Sequence, residues 1–384
     1  MIKIFLKKLK IINFRNYESC EIKFSGNKVI LLGKNAQGKT NLLESIYYLA
    51  ALSSFRANND SEIIKWGSDS AFLSAELIKN DTDIELSVFI NPPKHKLIKV
   101  NGLKKSSYSQ YLGHLVVVNF GVSDLLLLRG TPSDRRKWLD DAISQIYPAY
   151  KDRLNKYNKI KTHRNNLLKE FKGNFHLNKI QQDTLSVFDE QISVSGSNII
   201  HLRQKYLKEV QNIANLKHKK ISLEEEDLVL EYNSTVTESG NFNAREDEII
   251  SPEKILEAYN KAFKEKINEE IARAQTVIGP HRDDVSFYIN KIEAKSFASQ
   301  GQQRTIVLAL KLSELDFIEN IIGESPVLLL DDVLAELDKT RQNYLLNSIK
   351  KDTQTIITTT DISGFNEKFL EDVVVYNIES GKII

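Results

Sequence analysis

GKNAQGKTNLLE (33–44) lies between an apolar run, KVILL (28–32), and a run with helical spacing, NLLESIYYLAAL (41–52). It contains the pattern G-x-x-x-x-G-K-[ST], with Gly33, Gly38, Lys39 and Thr40 in the fixed places. A strand before and a helix after are what a phosphate-binding loop requires. Glycines let successive backbone N–H groups turn toward phosphate oxygens, and the helix start adds a favourable dipole. The expected cradle is therefore Gly33, Lys34, Asn35, Ala36, Gln37, Gly38, Lys39 and Thr40. In it, Lys39 neutralises the β- and γ-phosphates and the Thr40 hydroxyl ligates Mg²⁺. The alternative, an incidental glycine turn, is tested by a second feature: a phosphate loop also needs a carboxylate on the metal side.

VLLLDD (327–332) supplies one. Asp331 ends an apolar strand and is the second expected Mg²⁺ ligand, while Asp332 is the candidate to orient or deprotonate an attacking water. Lys39, Asp331 and Asp332 are thus the expected catalytic set. Thr40 and Asp331 stand much farther apart in the chain than a compact GTPase or kinase core would place them. Ahead of Asp331 runs SFASQGQQRTIVLALKLSELDF (296–317), a long apolar-striped helix opened by Ser299, Gly301 and Gln302. A hydroxyl and free N–H groups at a helix start make another anion site. Because Lys39 already holds one γ-phosphate, this second site makes sense if it reaches the nucleotide of another subunit. Asp338, in VLAELD (333–338), falls on a loop near the same interface, and Thr360 and Asp361 end the next strand, TIITTTD (355–361).

The rest of the chain divides into three zones. Residues 1–132 are rich in short strands, 278–384 return to α/β character with a closing hairpin (372–384), and 133–277 between them follow helical spacing. Leu185, Phe188, Ile192, Ile199, Leu202, Tyr206 and Ile213 mark one helix; Leu154, Tyr157, Arg164, Leu168 and Phe171 mark its partner, with Gly173 and Asn174 between. That pair is either an ordinary helical subdomain or a coiled-coil-like arm. The expected class is α/β, an ATPase head split by an inserted helical lobe.

Composition excludes several alternatives. With 53 basic and 51 acidic residues, the net charge of +2 announces no polyanion partner, so a nucleic-acid site must be a local patch. Cys20 is the only cysteine, which rules out an intrachain disulfide and a cysteine zinc site and favours a reducing, cytoplasmic setting. The opening MIKIFLKKLKIINF has lysines every few residues and is expected to be a strand, not a signal peptide. No run of about 18 apolar residues occurs, so no membrane partner is expected.

Together GKNAQGKT, SQGQQR, VLLLDD and LAELD, in this order, resemble the ATPase heads of the ABC superfamily in the branch shared with SMC proteins. More narrowly, NFRNY (13–17), SSFR (53–56), LRGTPSDRRKWLD (128–140), GPHRDDV (279–285) and ASQGQQRT (298–305) resemble the RecF family of bacterial recombinational repair proteins. One departure is NFGVSDL (119–125): Val122 and Ser123 stand where that family usually has a proline and an acidic residue. The resemblance implies ATP and Mg²⁺ as cofactors, and an ATP-dependent head-to-tail homodimer in which Ser299, Gly301, Gln302 and Asp338 face the partner's nucleotide. It also implies slow hydrolysis, binding to single- and double-stranded DNA, and partnership with RecO and RecR in loading RecA. Lys94, Lys96, Lys104 and Lys105, beside Lys99, are the candidate DNA contacts; Lys217, Lys219 and Lys220 form a second basic cluster and Arg135, Arg136 and Lys137 a third. His281 and Arg282 are expected in an interdomain ion-pair network. A longer SMC-like repair ATPase with a zinc hook lacks its cysteines here, and a scaffold that binds nucleotide without hydrolysis is opposed by the intact Lys39, Thr40, Asp331 and Asp332.

Overall fold

The computed structural model describes residues 4–94, 96–174, 176–240, 249–363, 365 and 367–384. Its strands are β1 (Ile4–Phe14), β2 (Tyr17–Lys23), β3 (Lys28–Leu32), β4 (Ala71–Lys79), β5 (Thr82–Ile90), β6 (Leu97–Val100), β7 (Leu103–Lys104), β8 (Val117–Gly121), β9 (Leu228–Asn233), β10 (Asp284–Ile289), β11 (Ile292–Glu293), β12 (Val327–Asp331), β13 (Thr355–Thr359), β14 (Val373–Glu379) and β15 (Lys382–Ile383).

The central sheet has the order β15-β14-β3-β13-β12-β8, and all its strands but β15 run parallel. KVILL, VLLLD and TIITT are continuous apolar runs because helices and the second sheet cover both faces. Val29, Ile30, Leu31, Leu329, Leu330 and Ile356 are all fully buried. The second sheet, β2-β1-β4-β5-β6-β7, is antiparallel. Gln354 pins the two together: its Oε1 accepts from the Leu6 backbone N–H at 2.7 Å and its Nε2 donates to the Leu6 carbonyl at 3.0 Å.

Between the halves stand the helices Pro132–Ile146, Ala149–Glu170, Lys179–Ile221 and Pro252–Arg273. The 43-residue helix settles the choice between subdomain and arm. At its far end Leu185 joins Leu168, Phe171 and Ile271 in a small separate core. Nearer the head, Tyr206 packs edge-on against Phe317 of the helix Gln300–Ile322, ring centroids 5.4 Å apart. The pair is therefore a packed lobe continuous with the main core. It also holds a strand, β9, which pairs antiparallel with β10 from beyond residue 277. Sequence periodicity missed β9 because only Leu228 and Leu230 of its residues are buried.

Two buried arginines knit the lobe to itself and to the head. Arg164 donates to Asp189 (2.7 Å), Glu270 (2.5 Å) and Thr276 (3.0 Å). Arg203 reaches both carboxylate oxygens of Asp140 at 3.0 Å and the Pro280 carbonyl at 2.6 Å. Of the basic clusters, Arg135 forms a bidentate pair with Asp284, Arg136 donates to the Asp283 carbonyl, and Lys137 pairs with Asp141. Lys217 and Lys219 are paired with Asp316 and Asp227. Arg135, Lys137, Lys217 and Lys219 are thus matched by carboxylates within the chain, while Arg136 is held by a backbone carbonyl. Among the described residues no helix is long and apolar enough to cross a membrane.

Replacing Arg203 by methionine leaves Asp140 without its bidentate partner beneath the lobe. Breaking a buried pair from one side costs about 3–5 kcal/mol, so urea unfolding of Arg203→Met is expected to show a loss of that size.

Candidate nucleotide-binding site

The loop 33–40 leaves the C-terminal end of β3, an interior strand of the central sheet, and its helix, Lys39–Ala51, begins without any side-chain cap. The first N–H groups are therefore open to an anion. Backbone geometry explains both glycines. Gly38 has φ 113°, and a Cβ there would meet Asn16 Nδ2 at 2.8 Å; a Cβ on Gly33 would lie 2.4 Å from the Ile378 carbonyl oxygen.

The loop is braced from outside. Tyr17 Oη donates to the Gly38 carbonyl at 3.0 Å, and Asn16 donates to the Gln37 carbonyl at 3.3 Å and accepts from Asn41 at 2.8 Å. On the other flank the Ser380 N–H donates to Gln37 Oε1 at 2.6 Å, and the Gly381 N–H to the Gln37 carbonyl at 2.9 Å. The motif NFRNY thus gains a physical role, as a strut under the loop. Lys39 Nζ donates to the carbonyls of Gly33 (2.7 Å) and Lys34 (3.0 Å), so the cation already lies across the loop mouth.

Across from the loop, Asp331 ends β12. Thr40 Oγ1 donates to Asp331 Oδ1 at 2.8 Å, and Thr358 Oγ1 to the same oxygen at 2.9 Å. Burial raises the Asp331 carboxyl above its ordinary value, and these two hydrogen bonds oppose the shift. Thr358 was not singled out beforehand. The signal that finds it is strand register, since Thr358 is the Cα partner of Asp331 on the neighbouring strand. Asp332 adopts φ 51°, a left-handed conformation costing roughly 1–2 kcal/mol outside glycine. Its N–H is held by Thr358 Oγ1 at 2.9 Å, and its carboxylate makes no hydrogen bond or ion pair among the described residues.

Arg56 is a second residue the motif reading left without a role. It donates to Asn41 Oδ1 at 3.0 Å, one position beyond Thr40, and its charge is felt at Asp331. Buried Glu44 organises the turn that presents it: Glu44 receives Arg15 at 2.9 and 2.6 Å, together with the Ser54 hydroxyl, and Ser54 Oγ accepts the Arg56 N–H at 2.9 Å.

Ser299 and Gln302 form a reciprocal capping box on the helix Gln300–Ile322: the Gln302 N–H donates to Ser299 Oγ at 3.2 Å, and the Ser299 N–H to Gln302 Oε1 at 2.8 Å. Ser299 is exposed, and Gly301 keeps the first turn open. Asp338 caps the helix Lys339–Ser348, accepting the Arg341 N–H at 3.0 Å and pairing with the Arg341 guanidinium. Asp361 turns its carboxylate onto Ser363, and Thr360 beside it is exposed. Among the described residues, no hydrogen bond or ion pair joins 33–40 to Ser299, Gly301, Gln302 or Asp338.

The candidate DNA lysines separate. Lys96 is withdrawn from the surface: its Nζ donates to the Leu52 carbonyl at 2.6 Å, pairs with Asp60 at 3.2 Å and lies over the Tyr48 ring. Lys94 and Lys104 are exposed and Lys105 is half-buried. Lys104 faces Lys99 across β6 and β7.

His281 departs from the expected ion-pair network. Its Nε2 meets the Thr276 carbonyl at 3.1 Å and its Nδ1 the Tyr157 hydroxyl at 2.7 Å. These partners select the neutral ring protonated on Nε2, and burial pushes its pKa down to about 3. The charged work falls to its neighbours: Asp284 pairs with Arg135, while Asp283 receives Tyr232 and Thr235.

A parallel sheet carrying this loop at one strand end, Asp331 at another and a capped serine-glycine helix start elsewhere defines an ABC-type P-loop ATPase head. The model of the RecF/RecN/SMC N-terminal domain matches residues 5–382. Similar proteins include the DNA replication and repair protein RecF of Bacillus thuringiensis (strain Al Hakam) and that of Bacillus cereus (strain B4264), each 39% identical over 380 residues, covering 99% of this chain and 98% of the relative. Among solved structures, the recombination mediator protein RecF with ATP in the RecFOR pathway superposes with a TM-score of 0.88 at 33% identity, covering 100% of this chain and 97% of that one. The Smc head domain from Pyrococcus furiosus, at TM-score 0.50 and 14% identity over 99% of this chain and 96% of that one, shares the fold. The chain belongs to the RecF/RecN/SMC family, and within it to the RecF proteins.

Because His281 is neutral in the folded chain and titrates near its ordinary value when unfolded, its contribution is fully present above about pH 6.5 and is lost as pH falls toward 3. Between pH 7.5 and 5 the wild type is expected to lose about 2 kcal/mol more stability than His281→Gln, read by urea unfolding at both values.

Proposed function

We propose that this protein is an ATP-driven DNA clamp of recombinational repair and replication, acting as a cytoplasmic homodimer with slow, DNA-stimulated ATP hydrolysis. The observation that carries this reading is the division of its site. The loop 33–40 with Asp331 is complete within one chain, while the second anion-binding helix start, at Ser299, makes no bond to it. A second copy, head to tail, supplies what is missing: each ATP then lies between Gly33–Thr40 of one subunit and Ser299, Gly301, Gln302 and Asp338 of the other. The similar RecF structure with ATP supports the choice of nucleotide.

Lys39 leaves its carbonyl partners to meet the β- and γ-phosphates, and the open N–H groups after Gly38 hold them. Mg²⁺ fits the remaining oxygens. The Thr40 hydroxyl and the Asp331 carboxylate converge within 2.8 Å, and a hard cation bound mainly by phosphates and water needs few protein ligands. When bound it neutralises charge on the β- and γ-phosphates. Asp332, whose carboxylate has no partner among the described residues, receives a proton from the attacking water. Arg56 adds a further cation beside the loop. Residues 1–132 and 278–384 form the head, and 133–277 the lobe.

The DNA surface includes the edge hairpin β6–β7, where Lys99 stands opposite Lys104 with Lys105 and Lys94 nearby. Two like charges directly opposed on neighbouring strands repel, and a backbone phosphate between them relieves that. Single- and double-stranded DNA, RecO and RecR are the proposed partners, the last two in keeping with the RecFOR pathway named for the solved relatives, and the proposed task is to help load RecA near single-strand gaps.

Molecular mass by light scattering tests the clamp. With ATP and Mg²⁺ the wild type is expected to shift from monomer to dimer, and Ser299→Arg to stay monomeric while binding nucleotide normally; a dimeric Ser299→Arg would refute the role of Ser299 across the interface. Asp332→Asn is expected to form the dimer and hold it, with turnover reduced roughly a hundredfold or more, within the range general-base catalysis contributes. Wild-type phosphate release from that variant would assign the base elsewhere.

A further inference from the structure

The capping box at Ser299 leaves one group of Gln302 over. Its carbonyl oxygen is taken by the Ser299 N–H, but its amide nitrogen points back into the chain and donates to Glu226 Oε1 at 2.7 Å. The other oxygen of Glu226 meets His218 Nε2 at 2.8 Å. His218 is fully buried near the end of the helix Lys179–Ile221, and its Nδ1 has no partner. A proton on Nε2, given to the carboxylate, is therefore the arrangement the pocket supports. Glu226 lies in the short link from that helix to β9, so the contact is made where the lobe leaves its longest element.

One turn further along, the same helix is held independently. Arg341 Nε donates to Thr305 Oγ1 at 2.8 Å while its guanidinium pairs with Asp338. The start of the helix Gln300–Ile322 is thus gripped between the lobe, through Glu226, and the segment of Asp338, through Arg341. A charge-assisted bond to a neutral amide is directional and about twice as strong as a neutral pair. With both ends of Gln302 occupied, the rotamer of that side chain, and with it the aim of the Ser299 hydroxyl, depends on where Glu226 stands.

We infer that Glu226, braced by His218, is a positioning residue that sets the Ser299–Gln302 turn for the partner's nucleotide and so ties the helical lobe to closure of the dimer. The inference rests on the two-chain reading above for its consequence, though not for the local geometry. Glu226 has no contact with the chain's own phosphate loop, so it acts on closure and leaves nucleotide binding by the monomer untouched.

The test uses the full chain and the variants Glu226→Ala and Glu226→Gln. Glutamine keeps an oxygen for Gln302 and, with His218 in its other tautomer, an N–H for the imidazole; alanine keeps neither. Two readings are taken: amide hydrogen exchange over the first turn of the helix Gln300–Ile322 without nucleotide, and the protein concentration at which ATP and Mg²⁺ produce half dimer. Thermal melting and titration with a fluorescent ATP analogue accompany them. Glu226→Ala is expected to melt somewhat lower, because buried His218 loses its acceptor, yet to bind the analogue like wild type, to exchange faster over that turn, and to need roughly tenfold more protein to dimerise, the loss of one hydrogen bond to a charged group. Glu226→Gln is expected to recover most of both.

Unchanged exchange in Glu226→Ala overturns the positioning role whatever the dimer does. Faster exchange with wild-type dimerisation overturns the tie to closure. A wild type that never dimerises with ATP would instead sink the two-chain reading, and the exchange measurement would still decide whether Glu226 positions the turn.

Discussion

Strand β3 has no hydrogen-bonding neighbour from its own half of the chain. It is paired on one side with β13 and on the other with β14, both drawn from the last thirty or so residues. The phosphate loop grows from the end of β3, so its position is set by strands that arrive only when the chain is nearly complete. The same closure brings Asp331 to Thr40 and Ser380 to Gln37. Everything between, including the whole lobe, is an excursion made by a sheet that must first be closed by its ends. Such non-local pairing carries a loop-closure cost that only burial of the apolar strands can offset.

That constraint also explains what could be inferred from residues alone. Continuous apolar runs such as KVILL and VLLLDD announce buried parallel strands, and the fixed spacing of Gly33, Gly38, Lys39 and Thr40 announces what lies at the end of one of them. The helical repeat through Leu185, Ile192, Ile199 and Tyr206 was equally plain, since all four are buried. Illegible were contacts that no local pattern encodes. Thr358 sits beside Asp331 only because two strands share a register, and Gln302 meets Glu226 only because the lobe returns to the head. Lys96 illustrates the opposite error. In a run of lysines it looks like one more surface charge, yet a carbonyl, a carboxylate and an aromatic face draw it inward.

The site's electrostatics follow the same division between local and distant. Lys39 is held in place across the loop mouth by carbonyls of its own loop, those of Gly33 and Lys34. Asp331 is different: it is half-buried and accepts from two threonines, one on a helix and one on a neighbouring strand. The strained backbone at Asp332 turns the next carboxylate away from this pair, so that two acids adjacent in sequence stand in unlike surroundings. One is bonded to two threonines and the other makes no hydrogen bond or ion pair among the described residues, the contrast on which the proposed division between metal binding and proton transfer rests.

The helix Lys179–Ile221 has a mechanical consequence. At 1.5 Å of rise per residue, its 43 residues span about 65 Å. One end is anchored beside the Ser299 turn, and near the other Leu185 packs into the small core of Leu168, Phe171 and Ile271. It is thus a stiff rod with one end beside the Ser299 turn: a tilt of about 5° at that end swings the far tip through about 6 Å, given a helix of that length. Motions too small to disturb the packing around Tyr206 and Phe317 are enlarged at the tip into displacements that a bound partner can register.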